Sequence, residues 1–219
     1  MIYTQASIQS LKGRLKAVVF DFGSVLLELE PEDTFSALSN ALGVSLEVAD
    51  FDRSKYSFFH AFEKGEMRFE TFLWNLQRLS SVDTPHARPL INAWNAMLKG
   101  WKPDKLELLQ YLQGRVSTYL LSNTNELHLK WVYNDLQKSH DIVDFDGRFF
   151  NKTFYSHQLG MRKPNNDIFE YVWSCIDSPR EETLFIDDNE ANVHAASKLG
   201  INAVLHPRNS ALDYLTELF

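Results

Sequence analysis

Five short apolar runs, AVVF (17–20), VSTYLLS (116–122), TFYS (153–156), TLFI (183–186) and NAVL (202–205), limit what this chain can fold into. They are strand-length and largely apolar, and AVVF is of the type buried on both faces. From Lys102 onward they alternate with helical patterns: PDKLELLQYLQG, NELHLKWVYNDLQ, NDIFEYVWSCI and NVHAASKLG. Strands alternating with helices predict an α/β fold, a doubly wound parallel sheet with helices on both faces. In such sheets ligands bind beyond the carboxyl ends of the strands.

The stretch between about residues 30 and 100 is different. DTFSALSNALG, FETFLWNLQRL and HARPLINAWNAML each carry apolar residues at helical spacing, and no good strand is visible among them. The expected organisation is a core of residues 1–29 and 101–219, with a helical insert at 30–100. Residues 1–15 read as a short, partly helical arm, and VLLELEP as a small hairpin or flap.

Three of the runs end on polar residues: Asp21, Ser122-Asn123 and Asp187-Asp188. On neighbouring parallel strands these sets meet at one rim, joined by Lys163 from the LGMRKP turn. Carboxylates crowded at one rim stay ionised only beside positive charge. A hard cation with oxygen ligands supplies it, and Mg²⁺ suits one or two carboxylates plus phosphate oxygens. Lys163 adds a point charge, while Ser122 and the main-chain N–H groups around Asn123 can bind an anion at a helix start. No GxxxxGK[ST] or GxGxxG loop is present, so a phosphate site here is built without one. Asp21 is the candidate nucleophile, a carboxylate able to form an aspartyl-phosphate.

DFGSV, LLSNTN, LGMRKP and FIDDNEANV, in that order, resemble the four motifs of the haloacid dehalogenase-like (HAD) hydrolase superfamily. The wording is most similar to a bacterial branch that includes an alpha-D-glucose-1-phosphate phosphatase. The resemblance implies a Rossmann-like core with a mobile α-helical cap. It implies a phosphatase of small phosphorylated metabolites, sugar phosphates and particularly sugar 1-phosphates. By the same resemblance Asp21 is nucleophile and metal ligand, the Gly23 carbonyl a second ligand, and Asp188 a third. Asp187 lies in or just outside the ligand shell, and Ser122, Asn123 and Lys163 hold the phosphoryl group.

The chain departs from the family pattern at Gly23, where most phosphatases of the superfamily carry an aspartate serving as general acid and base. The glucose-1-phosphate branch shares this replacement. General acid catalysis is typically worth about 10²–10⁴-fold, so its loss matters least for an anomeric leaving group. A water, or a cap residue such as His60 or Glu63, are the substitutes weighed. Asn192 is a candidate partner that orients the metal ligands. The polar break Glu63-Lys64-Gly65-Glu66 reads as a turn, of a kind that in this superfamily often reaches the active site. Two alternatives stand beside the phosphatase: a metal-free 2-haloacid dehalogenase using the same aspartate, and a binding or regulatory protein that keeps the fold. Phosphomutase activity is disfavoured, because relay between two hydroxyls needs a proton carrier at each.

The 219 residues are 44% hydrophobic with a formal net charge of -7. This balance argues against nucleic acid or an anionic membrane as partner. No apolar run nears the roughly 20 residues of a membrane span, and no signal peptide is read at the N-terminus. The single cysteine, Cys175, permits no intrachain disulfide and reads as a buried structural thiol. A cytoplasmic protein with a small-molecule phosphorylated substrate is expected, its oligomeric state open with a monomer favoured.

Overall fold

The computed structural model describes residues 1–4, 7–83 and 86–219. Its centre is a six-stranded sheet in the order β1-β8-β7-β2-β5-β6, built from β1 (Ile2–Tyr3), β2 (Ala17–Phe20), β5 (Ser117–Ser122), β6 (Lys152–Tyr155), β7 (Thr183–Asp187) and β8 (Asn202–Leu205). Every neighbouring pair is parallel. In β2 successive side chains point to opposite faces. Val18 and Phe20 enter one core, and Ala17 and Val19 the other.

Helices cover each face. On the first lie α5 (Pro103–Leu112), α6 (Glu126–His140) and the short α7 (Phe145–Phe149), contributing Leu109, Val132, Leu136 and Phe145. On the second lie α9 (Asn166–Cys175) and α10 (Glu190–Lys198), contributing Phe169, Val172, Val193 and Ala196. The single turn α8 (Ser156–Leu159) follows β6 directly. Cys175, expected to be buried, is half-buried beside the second core.

Helices α1 (Pro31–Leu42), α2 (Phe58–Glu63), α3 (Phe69–Arg78) and α4 (Ala87–Trp94) enclose a third, aromatic core. Phe59 is fully buried at its centre, stacked on Trp94 at 5.4 Å and on Phe51 at 5.6 Å. Phe62 stacks on Phe72 at 4.1 Å.

The structure corrects two local expectations. The arm contains a real strand: Ile2–Tyr3 extends the sheet edge along β8, ahead of a 3₁₀ turn at Ile8–Leu11. Positions 5–6 of the arm lie outside the described residues. Residues 30–100 also contain the start of a strand, β4 (Leu98–Trp101), paired antiparallel with β3 (Leu27–Leu29). VLLELEP therefore pairs with the far end of the helical segment and forms no local hairpin. LKGW carries no strand pattern of its own, and its Gly100 sits at φ 98°. The pairing comes from tertiary context, with the register shifting between Glu28 and Leu29.

A buried polar seam joins α4 to the start of α6. Asn125 caps α6, its Oδ1 accepting from the Leu127 and His128 N–H groups and, at 3.4 Å, from Trp94 Nε1. His128 stacks on Trp94 at 5.1 Å. Its Nδ1 lies 3.2 Å from Asn125 Nδ2 and its Nε2 3.1 Å from the Trp94 carbonyl, so the neutral tautomer with hydrogen on Nε2 satisfies both. Thr34 Oγ1 donates to the same carbonyl.

Phe59→Ala removes the centre of the aromatic core and is expected to cost about 3–5 kcal/mol in urea denaturation; a loss under about 1 kcal/mol would contradict this packing. Burial also pushes the imidazoles of His128 and His206 down to about 4 from the ordinary 6.5. Between those values the unfolded chain binds the protons that the folded chain refuses. Stability is therefore full above about pH 6.5 and falls toward pH 4, by up to about 3 kcal/mol for each histidine. Urea midpoints from pH 7 to 4.5 should show the fall, and a His128→Gln, His206→Gln double variant should flatten it.

Candidate active site

The predicted residues converge at the carboxyl edge of the sheet. Asp21 follows β2 directly, Ser122 closes the neighbouring β5, and Asp187 closes β7 on the other side. Lys163 arrives from the loop between α8 and α9 and is 1% exposed. Its Nζ donates to Asp21 Oδ1 at 2.6 Å, to Asp187 Oδ2 at 2.7 Å and to the Leu121 carbonyl at 2.9 Å.

The Asn123 side chain is engaged within the protein. Its Nδ2 donates to the Lys163 carbonyl and its Oδ1 accepts from the Lys163 N–H, both at 2.9 Å. The amide thus fixes the lysine's backbone, which leaves the Ser122 hydroxyl as the side-chain donor of this strand end. Asn192, on the first turns of α10, donates at 3.0 Å to each oxygen of Asp187. The Asn189 N–H adds a further bond to Asp187 Oδ1 at 2.8 Å. Asp187 is therefore saturated by protein donors and holds Lys163 in place.

Oxygens of Asp21, Asp187 and Asp188 lie within 4.8 Å of one another. Burial first, then the Asp187 charge, push the Asp21 carboxyl well above the usual carboxylate range, against the pull of Lys163. Asp188 is raised as well, by burial and then by Asp187. Burial works against the Lys163 ammonium, but Asp187 and Asp21 outweigh it and hold its pKa above the ordinary value. One ammonium thus faces three carboxyl groups. An all-oxygen donor set with surplus negative charge fits a hard divalent cation such as Mg²⁺.

Two neighbouring spaces border this edge. An outer cleft of about 390 Å³ is lined by Asp21, Lys163, Asp188, Asn192 and Arg208. Arg208, which no sequence motif singles out, lies 3.8 Å from Asp188 Oδ2 and 3.5 Å from Ser24 Oγ. Gly23, Leu29 and Asn123 border both this cleft and an inner cavity of about 110 Å³ beneath the helical segment. A Cβ at Gly23 would lie 2.3 Å from Leu29 Cδ1, so Leu29 fills the space of any side chain there.

Glu63 is the carboxyl group of the inner cavity. Its Oε2 accepts from Arg162 Nη2 at 3.2 Å, and its carbonyl accepts from Ser156 Oγ at 2.6 Å. Two residues on, Gly65 has φ +68°, and a Cβ there would lie 2.0 Å from the His157 carbonyl oxygen. Only glycine lets this loop seat so closely on α8. His60, the other substitute acid weighed, lies beside the exposed Asp52 and does not line the cavity. Arg162 went unnoticed in the sequence, although its place beside Lys163 was a signal.

Lys163→Met leaves buried carboxyl groups without their cation. Removing one partner of such a group typically costs about 3–5 kcal/mol, the loss expected in metal-free urea denaturation, with partial recovery on adding Asp187→Asn. An unchanged midpoint would mean that the lysine does not hold the site together.

Residues 15–200 match the haloacid dehalogenase-like hydrolase family. A D-ribitol-5-phosphate phosphatase of Bacteroides thetaiotaomicron is 28% identical over 207 residues, covering 93% of this chain and 97% of its own. A sesquiterpene phosphatase of Aspergillus oryzae is 29% identical over 198 residues, covering 85% and 87%. Among solved structures, a HAD-family enzyme of B. thetaiotaomicron in complex with magnesium and inorganic phosphate superposes with a TM-score of 0.80 at 28% identity, over 92% of this chain and 98% of that one. The chain belongs to the haloacid dehalogenase-like hydrolase family and is an enzyme of that class, a hydrolase with phosphatases as its relatives.

Proposed function

We propose that this hydrolase is a Mg²⁺-dependent phosphatase of small phosphorylated metabolites, sugar or sugar-alcohol phosphates in particular. The observation that carries the reading is the Lys163 ammonium 2.6 Å from Asp21 and 2.7 Å from Asp187, with Asp188 alongside. The names of the ribitol-phosphate phosphatase and of the magnesium and phosphate complex support it.

Asp21, Asp188 and the Gly23 carbonyl would hold the metal, with Asp187 beside them orienting Lys163. Bound there, Mg²⁺ would screen the repulsion between phosphate and carboxylate and stabilise charge on the phosphoryl oxygens. Asp21 attacks phosphorus through a carboxylate oxygen, the bond to the leaving alcohol breaks, and an aspartyl-phosphate remains. Lys163 and the Ser122 hydroxyl hold phosphoryl oxygens during the in-line transfer. Water then attacks the phosphorus, releases phosphate and restores the carboxylate. Residues 30–100 form a cap that closes over the leaving group and selects it.

The outer cleft is polar, as a phosphoryl group requires, and the inner cavity is small. Its volume of about 110 Å³ suits a compact leaving group better than a long lipid chain. The surplus of carboxylates over lysine favours this reading over metal-free dehalogenation, in which the same aspartate attacks carbon. A protein that only binds would have no use for a nucleophile with its cation in place.

Phosphate release from D-ribitol 5-phosphate, glucose 1-phosphate and glucose 6-phosphate is expected with Mg²⁺ and not with EDTA. Asp21→Asn should lower it about 10³-fold or more, the scale seen when a nucleophile is removed. The ratio of 1-phosphate to 6-phosphate turnover tests the leaving-group expectation. Release that survives EDTA, or the loss of Asp21, would overturn the reading.

A further inference from the structure

We propose that the Glu63 carboxyl gives a proton to the leaving oxygen and then takes one from the attacking water, an assignment that rests on the phosphatase reading above. An alcohol leaves poorly as an alkoxide, so the site needs an acid on the leaving-group side. The groups around the cleft narrow the choice. Asp21 is the attacking group. Asp187 is saturated by Lys163, Asn189 and Asn192. Lys163 is bound to two carboxylates and a carbonyl. Asp188 belongs to the outer cleft, toward Arg208. Gly23 has no side chain to carry a proton. His128 lines the inner cavity, but Asn125 and the Trp94 carbonyl engage its two ring nitrogens.

Glu63 remains. Among the described residues it is the acidic side chain lining the inner cavity, which it shares with Gly23, Ser122 and Asn123. It is held from the core side by Arg162, the residue next to Lys163. Its main chain is fixed through Ser156, whose Oγ accepts from the Thr124 N–H at 2.9 Å. The loop that carries Ser122 and the loop that carries Glu63 thus meet on one hydroxyl. Burial raises the Glu63 carboxyl above its ordinary range, against Arg162 and Lys163 and with a smaller push from Asp52. That shift favours the protonated form an acid needs.

The step balances. As Asp21 oxygen bonds to phosphorus, the phosphorus–oxygen bond to the substrate breaks, and its electron pair takes the Glu63 proton to give the neutral alcohol. The Glu63 carboxylate that results is paired with Arg162. After the alcohol departs, water enters its place and attacks the aspartyl-phosphate. Its proton goes to Glu63, its oxygen to phosphorus, and Asp21 recovers its carboxylate. The net reaction is phosphomonoester plus water to alcohol plus hydrogen phosphate, with Glu63 protonated again.

The test compares wild type with Glu63→Gln on D-ribitol 5-phosphate and on 4-nitrophenyl phosphate, whose phenolate leaves without a proton. On the ribitol ester, kcat should fall about 10²–10⁴-fold, with alcohol release slow from the first turnover. On the aryl ester, the variant should release one equivalent of nitrophenolate in a burst and then turn over slowly, because the water has lost its base. Acid quench should trap the phosphoenzyme. Kinetics within about threefold of wild type on the ribitol ester, a rise in KM alone, or absence of the burst in a folded variant would overturn the proposal. If Glu63→Gln does not fold, as judged by its melting curve, Glu63→Ala with and without added formate gives the same readout, and formate must then speed the slow phase. A wild type that releases phosphate from neither ester would instead remove the phosphatase reading itself, and this proposal with it.

Discussion

The site depends on one shared ammonium. Lys163 is buried at the edge of the sheet between the carboxylate that follows β2 and the one that ends β7, and it also binds the Leu121 carbonyl of β5. These are three adjacent strands, so one side chain ties together the chain ends from which the chemistry is drawn. The surrounding polar residues serve this bond. Asn123 grips the lysine's backbone, and Asn192 grips Asp187. Buried charges of this kind gain little net stability by pairing; what the pairing does here is hold the Asp21 carboxylate at a defined place.

The three cores separate the labour. The two faces of the sheet are filled by alternate residues of the same strands, so the strand ends cannot shift without disturbing both. The aromatic core of α1–α4 packs largely on itself and meets the sheet domain through polar contacts around Trp94, Asn125 and His128 and through the Glu63 loop. The border is mixed, since Leu127 of α6 also packs on the aromatic core.

Much of this was legible in the sequence, for definite reasons. AVVF, TLFI and NAVL read as strands because both of their faces are buried, and their polar ends marked the rim. The convergence of Asp21, Ser122 and Asp187 then followed from parallel topology, whereas Lys163 was placed by the LGMRKP turn and not by a strand. LKGW was not legible, because its strand is imposed by a partner about 70 residues earlier. Nor was the role of the Asn123 amide, since a side chain's choice between a ligand and a neighbouring backbone is made only by folding. The Glu63–Arg162 pair spans 99 positions, and neither residue carries a local pattern that names the other.

Arg162 and Lys163 are consecutive, yet one reaches the helical segment at Glu63 and the other reaches Asp21. A backbone adjustment at this dipeptide is felt on both sides, so the segment over the site is not an interchangeable part. An exchange with another member of the family that brought new helices but not the matching cation at position 162 would deliver a well-packed helical segment with its inner carboxylate stranded. In recombination or cap-grafting work the natural joint therefore includes the loop before α9, and the border of the exchangeable unit runs through the core's own chain.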